Sequence, residues 1–192
     1  MPRILGPATE DEMVLEFLKA ELDSSRFGAC YPQMIGGYAT RALVTSHDGS
    51  EIASALRLCL LTMVRGYANR TLLFDGFPTD VTWWRADLLS DDLNNLMHVR
   101  DPAFVGSSRL VRESANSYAT SFNKVDATAI EEIVEKYRTG APLARPIVAA
   151  DHGRLVVIEG NLRAIAYIVA GVDGPYPIIL GRSPAMSIWP RF

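Results

Sequence analysis

Long apolar runs are absent from this chain of 192 residues. The two longest, Leu58–Val64 with Thr62 inside it and Leu155–Ile158, are far shorter than the roughly 20 residues that cross a bilayer. The first residues contain no long apolar segment and turn acidic at Glu10, which argues against a signal peptide. We therefore expect a cytoplasmic protein without a membrane partner.

Lysine and basic clusters are also scarce. Only three of the 19 basic residues are lysines, 22 residues are acidic, and the net charge is −3 with a pI near 5.6. A chain without a basic run is poorly suited to the phosphate backbone of a nucleic acid, so nucleic acid is not an expected partner. The arginine excess leaves two interpretations open: recognition of phosphate or carboxylate groups, and a GC-rich genome that favours arginine codons.

Residues that bind metals are few and scattered. Cys30 and Cys59 lack a second cysteine at metal-ligand spacing, and His47 and His98 have no companion either. We therefore expect neither zinc nor haem, and we interpret both cysteines as buried thiols.

Three common catalytic signatures are missing as well. The chain has no Walker A sequence, no G-x-G-x-x-G turn and no G-x-S-x-G nucleophile elbow. Their absence argues against P-loop enzymes, Rossmann dehydrogenases and α/β-hydrolases.

What the chain does contain is a series of helix and strand signals. Thr9 and Glu12 form a capping box that predicts a helix over 10–23, and Ser50 begins an amphipathic helix that ends near Gly66. The next predicted elements are a strand at 72–74, a strand at 81–88, a helical turn capped by Ser90, a helix through Tyr118 and a helix that begins at Asp126.

The last fifty residues have the clearest pattern. A hairpin is predicted over 146–158 with His152 at its tip, and a helix over 162–171 and a strand over 176–180 follow. This alternation predicts an α+β fold with a small mixed sheet at 97–192. Residues 1–96 would form a mostly helical N-terminal extension packed on that core.

The segment RLVVIEGNLRAIAY, residues 154–167, has the features of an anion site. Glu159 ends a predicted strand, Gly160 makes the turn, and Asn161 takes the N-cap position of a helix whose free N–H groups attract anions. Arg163 lies in the first turn, where its charge opposes the helix dipole unless a negative group is near. That group is either a bound phosphate or Glu159 in a local ion pair.

The run RPIVAADHGRLVVIEGNLRAIAYIVAG resembles the central motif of the ParB/sulfiredoxin superfamily. In that motif an acid at the end of a hairpin is followed by glycine, usually histidine, one variable residue and arginine. The resemblance covers about 146–180. The whole chain is also similar to a bacterial subgroup of the superfamily through FDGFPTDVTWWRADL, the GSSR loop at 106–109 and a C-terminal LGxSPxMxxW stretch.

The resemblance implies a site that holds nucleotide phosphate at the glycine turn. Gly160, Asn161 and Arg163 would contact the phosphates of ATP or ADP, and Glu159 would act as a base or as a ligand of Mg²⁺. Asn161 departs from the usual histidine: its amide can donate a hydrogen bond to phosphate, but it cannot shuttle a proton near neutral pH.

A second anion cradle is implied in the GSSR loop. Ser107, Ser108 and Arg109 would face the phosphates there, or they would form an ordinary solvated turn that caps the next helix.

The function implied by the resemblance is that of an ATP- or ADP-dependent phosphotransferase, similar to the free-serine kinases of the superfamily. Its partners would be the nucleotide and a small polar metabolite, and Glu159 and Arg163 would be its catalytic residues. The alternatives are a nucleotide-binding switch without net catalysis, and a DNA-binding protein or nuclease. A homodimer is compatible with each.

Overall fold

The structure is a computed structural model that describes residues 1–22, 24, 31, 41–46, 49–100, 109–171 and 174–192. Cys30, His47, Ser107 and Ser108 lie outside the described residues. The strands are β1 (Arg3–Pro7), β2 (Thr82–Leu88), β3 (Leu96–His98), β4 (Ile147–Asp151), β5 (Arg154–Glu159) and β6 (Tyr176–Arg182). The α-helices are α1 (Glu10–Leu22), α2 (Arg41–Thr45), α3 (Glu51–Arg65), α4 (Ser90–Asn94), α5 (Val111–Ser121), α6 (Lys124–Arg138) and α7 (Asn161–Ala170).

All six of these strands join in one mixed sheet with the order β1-β2-β6-β4-β5-β3. The pairs β4/β6 and β3/β5 are parallel and the other neighbours are antiparallel. The predicted α+β class with a mixed sheet is therefore confirmed. The sheet takes strands from both predicted segments, because β1 and β2 precede residue 96, and the junction between Leu96 and Met97 lies inside β3.

Helices cover both faces of the sheet. One face packs against α1, α3 and the C-terminal residues, and the other packs against α5, α6 and α7. Because both faces are buried, the four central residues of β5 are all apolar rather than alternating: Leu155 and Val157 belong to one layer, and Val156 and Ile158 belong to the other.

The predicted N-caps of the first helices are confirmed, but the Glu12 half of the capping box is not, because the Glu12 carboxylate binds one arginine of β2 and one just before β4. The Thr9 hydroxyl accepts a hydrogen bond from the Glu12 N–H at 3.1 Å. Ser50 likewise accepts from the Ala53 N–H, and Gly66 ends α3 in the left-handed conformation at φ 75°. None of the helices in the described parts of the chain has the length and apolarity needed to cross a membrane.

Several local predictions are wrong. Leu72–Phe74 is a 3-10 helix rather than a strand, and Leu72 has a φ of 52° that a strand excludes. Helix α6 is capped by Asn123 rather than begun by Asp126, because the Asn123 side chain accepts the Asp126 N–H. Cys59 is exposed on α3 rather than buried.

Candidate functional site

A β-bulge directs the side chain of Glu159. Ile147 of β4 pairs with Glu159, whereas the next residue, Val148, pairs with Val157, so that Ile158 has no partner on β4. The extra residue turns Glu159 to the side of Ile147, which faces the α1 and α3 layer. Strict alternation along β5 would have placed Glu159 on the opposite face with Val157.

Gly160 makes the turn in a conformation that only glycine adopts easily. Its φ is 90°, and an added Cβ would lie 2.7 Å from Nη2 of Arg163 and 3.0 Å from Cα of Pro146. Gly160, rather than Asn161, is the N-cap of α7, and Asn161 is the first residue of the helix.

Arg163 is held by the protein itself. Only 7% of the residue is exposed, its Nη1 donates to the carbonyl of Ala144 at 2.7 Å, and its Nη2 donates to Oε1 of Glu159 at 3.4 Å. Glu159 is thus a partner of Arg163, as one of the two alternatives drawn from the sequence predicts. The phosphate partner remains a prediction.

A second buried ion pair lies close to this one. Glu21 of α1 is 1% exposed, and its carboxylate accepts hydrogen bonds from Nε of Arg65 at 2.5 Å, from Nη2 of the same guanidinium and from the hydroxyl of Tyr31. Glu21 and Arg65 both act electrostatically on Glu159. The helices of the first half therefore bring charge to the glycine turn of the second half.

The sequence analysis missed Glu21, although a signal for it exists. Met13 and Phe17 form the buried face of α1 at a spacing of four residues, and Glu21 continues that series. A carboxylate on the apolar face of an amphipathic helix requires a buried partner, which Arg65 supplies.

The carboxyl group of Glu159 is a candidate proton acceptor. Burial raises its pKa above the ordinary value, and the charge of Glu21 raises it further, while the Arg163 guanidinium offsets part of the increase. A carboxylate with a raised pKa is a better base near neutral pH than an ordinary one.

We expect the melting temperature of Glu159→Gln to exceed that of wild type by more at about pH 8 than it does at about pH 4. Because the pKa of Glu159 is raised, the folded state favours the protonated carboxyl group. The unfolded carboxyl group ionises at about pH 4.5, so the stability of the wild type falls as the pH rises from there through the pKa of the folded state. Glutamine does not titrate and avoids this loss. Thermal unfolding across this pH range measures the difference, with Glu132→Gln on the exposed side of α6 as the control. A smaller difference at high pH than at low pH would contradict the expectation.

Asn161 contacts a histidine that the sequence analysis did not connect with it. Its Oδ1 lies 2.7 Å from Nδ1 of His98, which ends β3, and Nε2 of His98 lies 2.9 Å from Oγ of Ser114 on α5. The parallel pairing of β3 and β5 brings these residues to one edge of the sheet. An imidazole thus lies beside the first residue of α7.

Arg109 binds backbone carbonyls in the structure. Its guanidinium donates to the carbonyls of His98, Arg191 and Phe192, which ties β3 to the C-terminal residues. These contacts give Arg109 a structural role, and the anion cradle with Ser107 and Ser108 remains a prediction.

Glu159 is the candidate ligand for Mg²⁺. Among the residues with described positions, no group of three histidine, cysteine or acidic side chains could hold a metal. Mg²⁺ is often bound by one or two carboxylates together with substrate phosphates. A single carboxylate at Glu159 therefore fits an ion that arrives with a nucleotide rather than a site made by the protein alone.

Comparison of this chain with protein-family models, with curated proteins and with solved structures finds no match in any of the three. The resemblance to the ParB/sulfiredoxin superfamily therefore depends on the motif residues themselves, and what it implies about activity remains a hypothesis.

Proposed function

We propose that the protein binds ATP or ADP at the Gly160 turn and transfers a phosphoryl group to a small polar metabolite. The observation that supports this proposal is the ion pair between the half-buried Glu159 and the buried Arg163 at the glycine turn, with the Glu21–Arg65 pair close by. Buried charges lower stability unless they are well compensated, and carboxyl groups with a perturbed pKa, such as that of Glu159, are concentrated at functional sites.

Each residue at the turn has a chemical role in the proposed reaction. Gly160 makes the turn that begins α7, whose first N–H groups attract a phosphate, and Arg163 stabilises the charge on the transferring group. Glu159 removes the proton from the acceptor hydroxyl, whose oxygen then bonds to the terminal phosphorus as the bond from phosphorus to the leaving nucleotide breaks. Mg²⁺ bound with the nucleotide would offset the phosphate charge, and Glu159 would hold that ion only in the alternative in which it does not act as the base.

Thermal unfolding against ATP, ADP, CTP, GTP and inorganic phosphate with Mg²⁺ tests the binding step. A ligand at 100 times its Kd stabilises the folded state by about 2.7 kcal/mol, which corresponds to a rise of roughly 5–10 °C for a chain of this size. We expect this rise with one nucleotide, and we expect Arg163→Ala to lose it. The shift is measured within each variant, so a lower starting stability does not affect the comparison.

Variants at the base separate binding from turnover. Glu159→Gln should keep the thermal shift and lose at least about 100-fold in phosphate transfer to an acceptor, because general base catalysis contributes about 10²–10⁴-fold. Arg138→Ala is the matched control: this exposed arginine also donates to a backbone carbonyl of α7 and should leave both readouts unchanged. Full transfer by Glu159→Gln, or an undiminished shift in Arg163→Ala, would contradict the proposal.

A nucleotide-binding switch is the second candidate, and the contacts of the motif residues favour it. Arg163 already bonds to Ala144 and Glu159, and Asn161 already contacts His98. A phosphate at the turn would have to replace some of these contacts, which couples binding to a change of conformation. Such a switch predicts a nucleotide-dependent change in oligomeric state without release of product, as measured by sedimentation alongside phosphate release.

A further inference from the structure

Three side chains near the glycine turn form a continuous hydrogen-bonded series. Oγ of Ser114 lies 2.9 Å from Nε2 of His98, and Nδ1 of the same ring lies 2.7 Å from Oδ1 of Asn161. They come from α5, β3 and α7, so no short sequence pattern joins them.

The chemistry of Asn161 fixes the direction of these hydrogen bonds. Its Oδ1 only accepts, so Nδ1 of His98 carries the ring proton and donates it. Nε2 is then the unprotonated nitrogen, and the Ser114 hydroxyl donates to it. A serine next to a histidine whose other nitrogen is held by a third group is the arrangement that activates a nucleophile.

The surroundings favour a neutral imidazole. His98 is 1% exposed, and burial lowers its pKa below the ordinary value. The hydrogen bond with Asn161 offsets part of this decrease, and the charge of Arg109 adds to it. The ring can therefore accept a proton at neutral pH. Ser114 itself is half-buried.

We propose that Ser114 is a nucleophile toward carboxylic esters, with His98 as its general base and Asn161 as the residue that positions the imidazole. Ser114 lies on a helix rather than on a nucleophile elbow, so a search for G-x-S-x-G does not find it. This activity needs no nucleotide, but it shares Asn161 with the glycine turn at which the nucleotide is proposed to bind.

The reaction has two balanced steps. Nε2 of His98 takes the hydroxyl proton while Oγ of Ser114 bonds to the ester carbonyl carbon, and the alcohol leaves with that proton as its carbon–oxygen bond breaks. Water then gives a proton to His98 and adds to the acyl carbon. The bond from the acyl carbon to Oγ breaks, the carboxylic acid leaves, and the proton returns to Ser114.

A fluorophosphonate probe tests the nucleophile directly in the full chain. We expect one adduct at Ser114, formed with loss of fluoride and located by peptide mass spectrometry, and none in Ser114→Ala. His98→Gln should slow labelling at least about 100-fold, which is the contribution of a general base. Ser117→Ala is the matched control on the same helix, because the Ser117 hydroxyl donates to the Glu113 carbonyl and not to a base.

Two variants of Asn161 separate positioning from packing. Asn161→Asp keeps an oxygen acceptor for Nδ1 and should label within about tenfold of wild type, whereas Asn161→Ala should label at least tenfold more slowly. The same order is expected for hydrolysis of p-nitrophenyl acetate, and thermal unfolding checks that each variant is folded. This pair also provides the test if His98→Gln does not fold. Absence of a Ser114 adduct in the folded wild type, or equal labelling rates in Asn161→Ala and Asn161→Asp, would overturn the proposal.

Discussion

Replacing Arg163 with alanine should lower the free energy of unfolding by about 2–3 kcal/mol, which is less than the roughly 3–5 kcal/mol for a fully buried ion pair because the Glu159 side chain is 21% exposed. The variant leaves the Glu159 carboxylate without its nearest cation and the Ala144 carbonyl without its donor. Chemical denaturation monitored by far-UV circular dichroism measures the loss.

Two comparisons identify the cause of this loss. Arg138→Ala removes an arginine from the surface near the other end of α7 and should change stability by no more than about 0.5 kcal/mol. Adding Glu159→Gln to Arg163→Ala should restore part of the stability, because the uncompensated charge disappears. A loss below about 1 kcal/mol in Arg163→Ala would mean that the pair contributes little to the fold.

The second large effect is expected at the turn itself. Gly160→Ala should destabilise the protein by about 2–5 kcal/mol, since a left-handed backbone costs an L-residue about 1–2 kcal/mol and a crowded site adds about 1–3 kcal/mol. The crowding is specific: the new Cβ would lie 2.7 Å from Nη2 of Arg163 and 3.0 Å from the backbone at Pro146.

Gly153 provides the matched control for this substitution. Its φ of 79° is also left-handed, but an added Cβ there meets no atom within 4 Å. Gly153→Ala should therefore show the backbone cost alone. The difference between the two variants, measured by thermal unfolding, gives the cost of crowding at Gly160, and equal losses would rule out a close fit around the turn.

Features fixed by neighbouring residues were predictable from the sequence. The caps at Thr9 and Ser50 and the hairpin tip at His152 are local, because each depends on a few adjacent residues. The glycine turn is local for the same reason, and the sequence placed it correctly between β5 and α7.

Features that join distant parts of the chain were not predictable in this way. β1 is a short strand with mostly exposed residues, so its sequence alone does not identify it as a strand. It is recognisable only by its pairing with β2, in which Arg3 lies opposite Asp87, 84 residues later in the chain. The bulge that redirects Glu159 depends on the register with β4, and register is not visible in β5 alone. The contact between His98 and Asn161 likewise requires the parallel pairing of β3 with β5.

The pairing of β2 with β6 also constrains the order of events during synthesis on the ribosome. Thr82 pairs with Arg182, 100 residues later, so β2 has no neighbour on that side until β6 has been made. Contacts between residues so far apart in the chain form late in folding, because the entropy lost in closing the loop must first be offset by other contacts. Until then the apolar faces of α1 and α3 have no complete sheet to pack against, and a nascent chain that pauses before Tyr176 presents the kind of surface that chaperones bind.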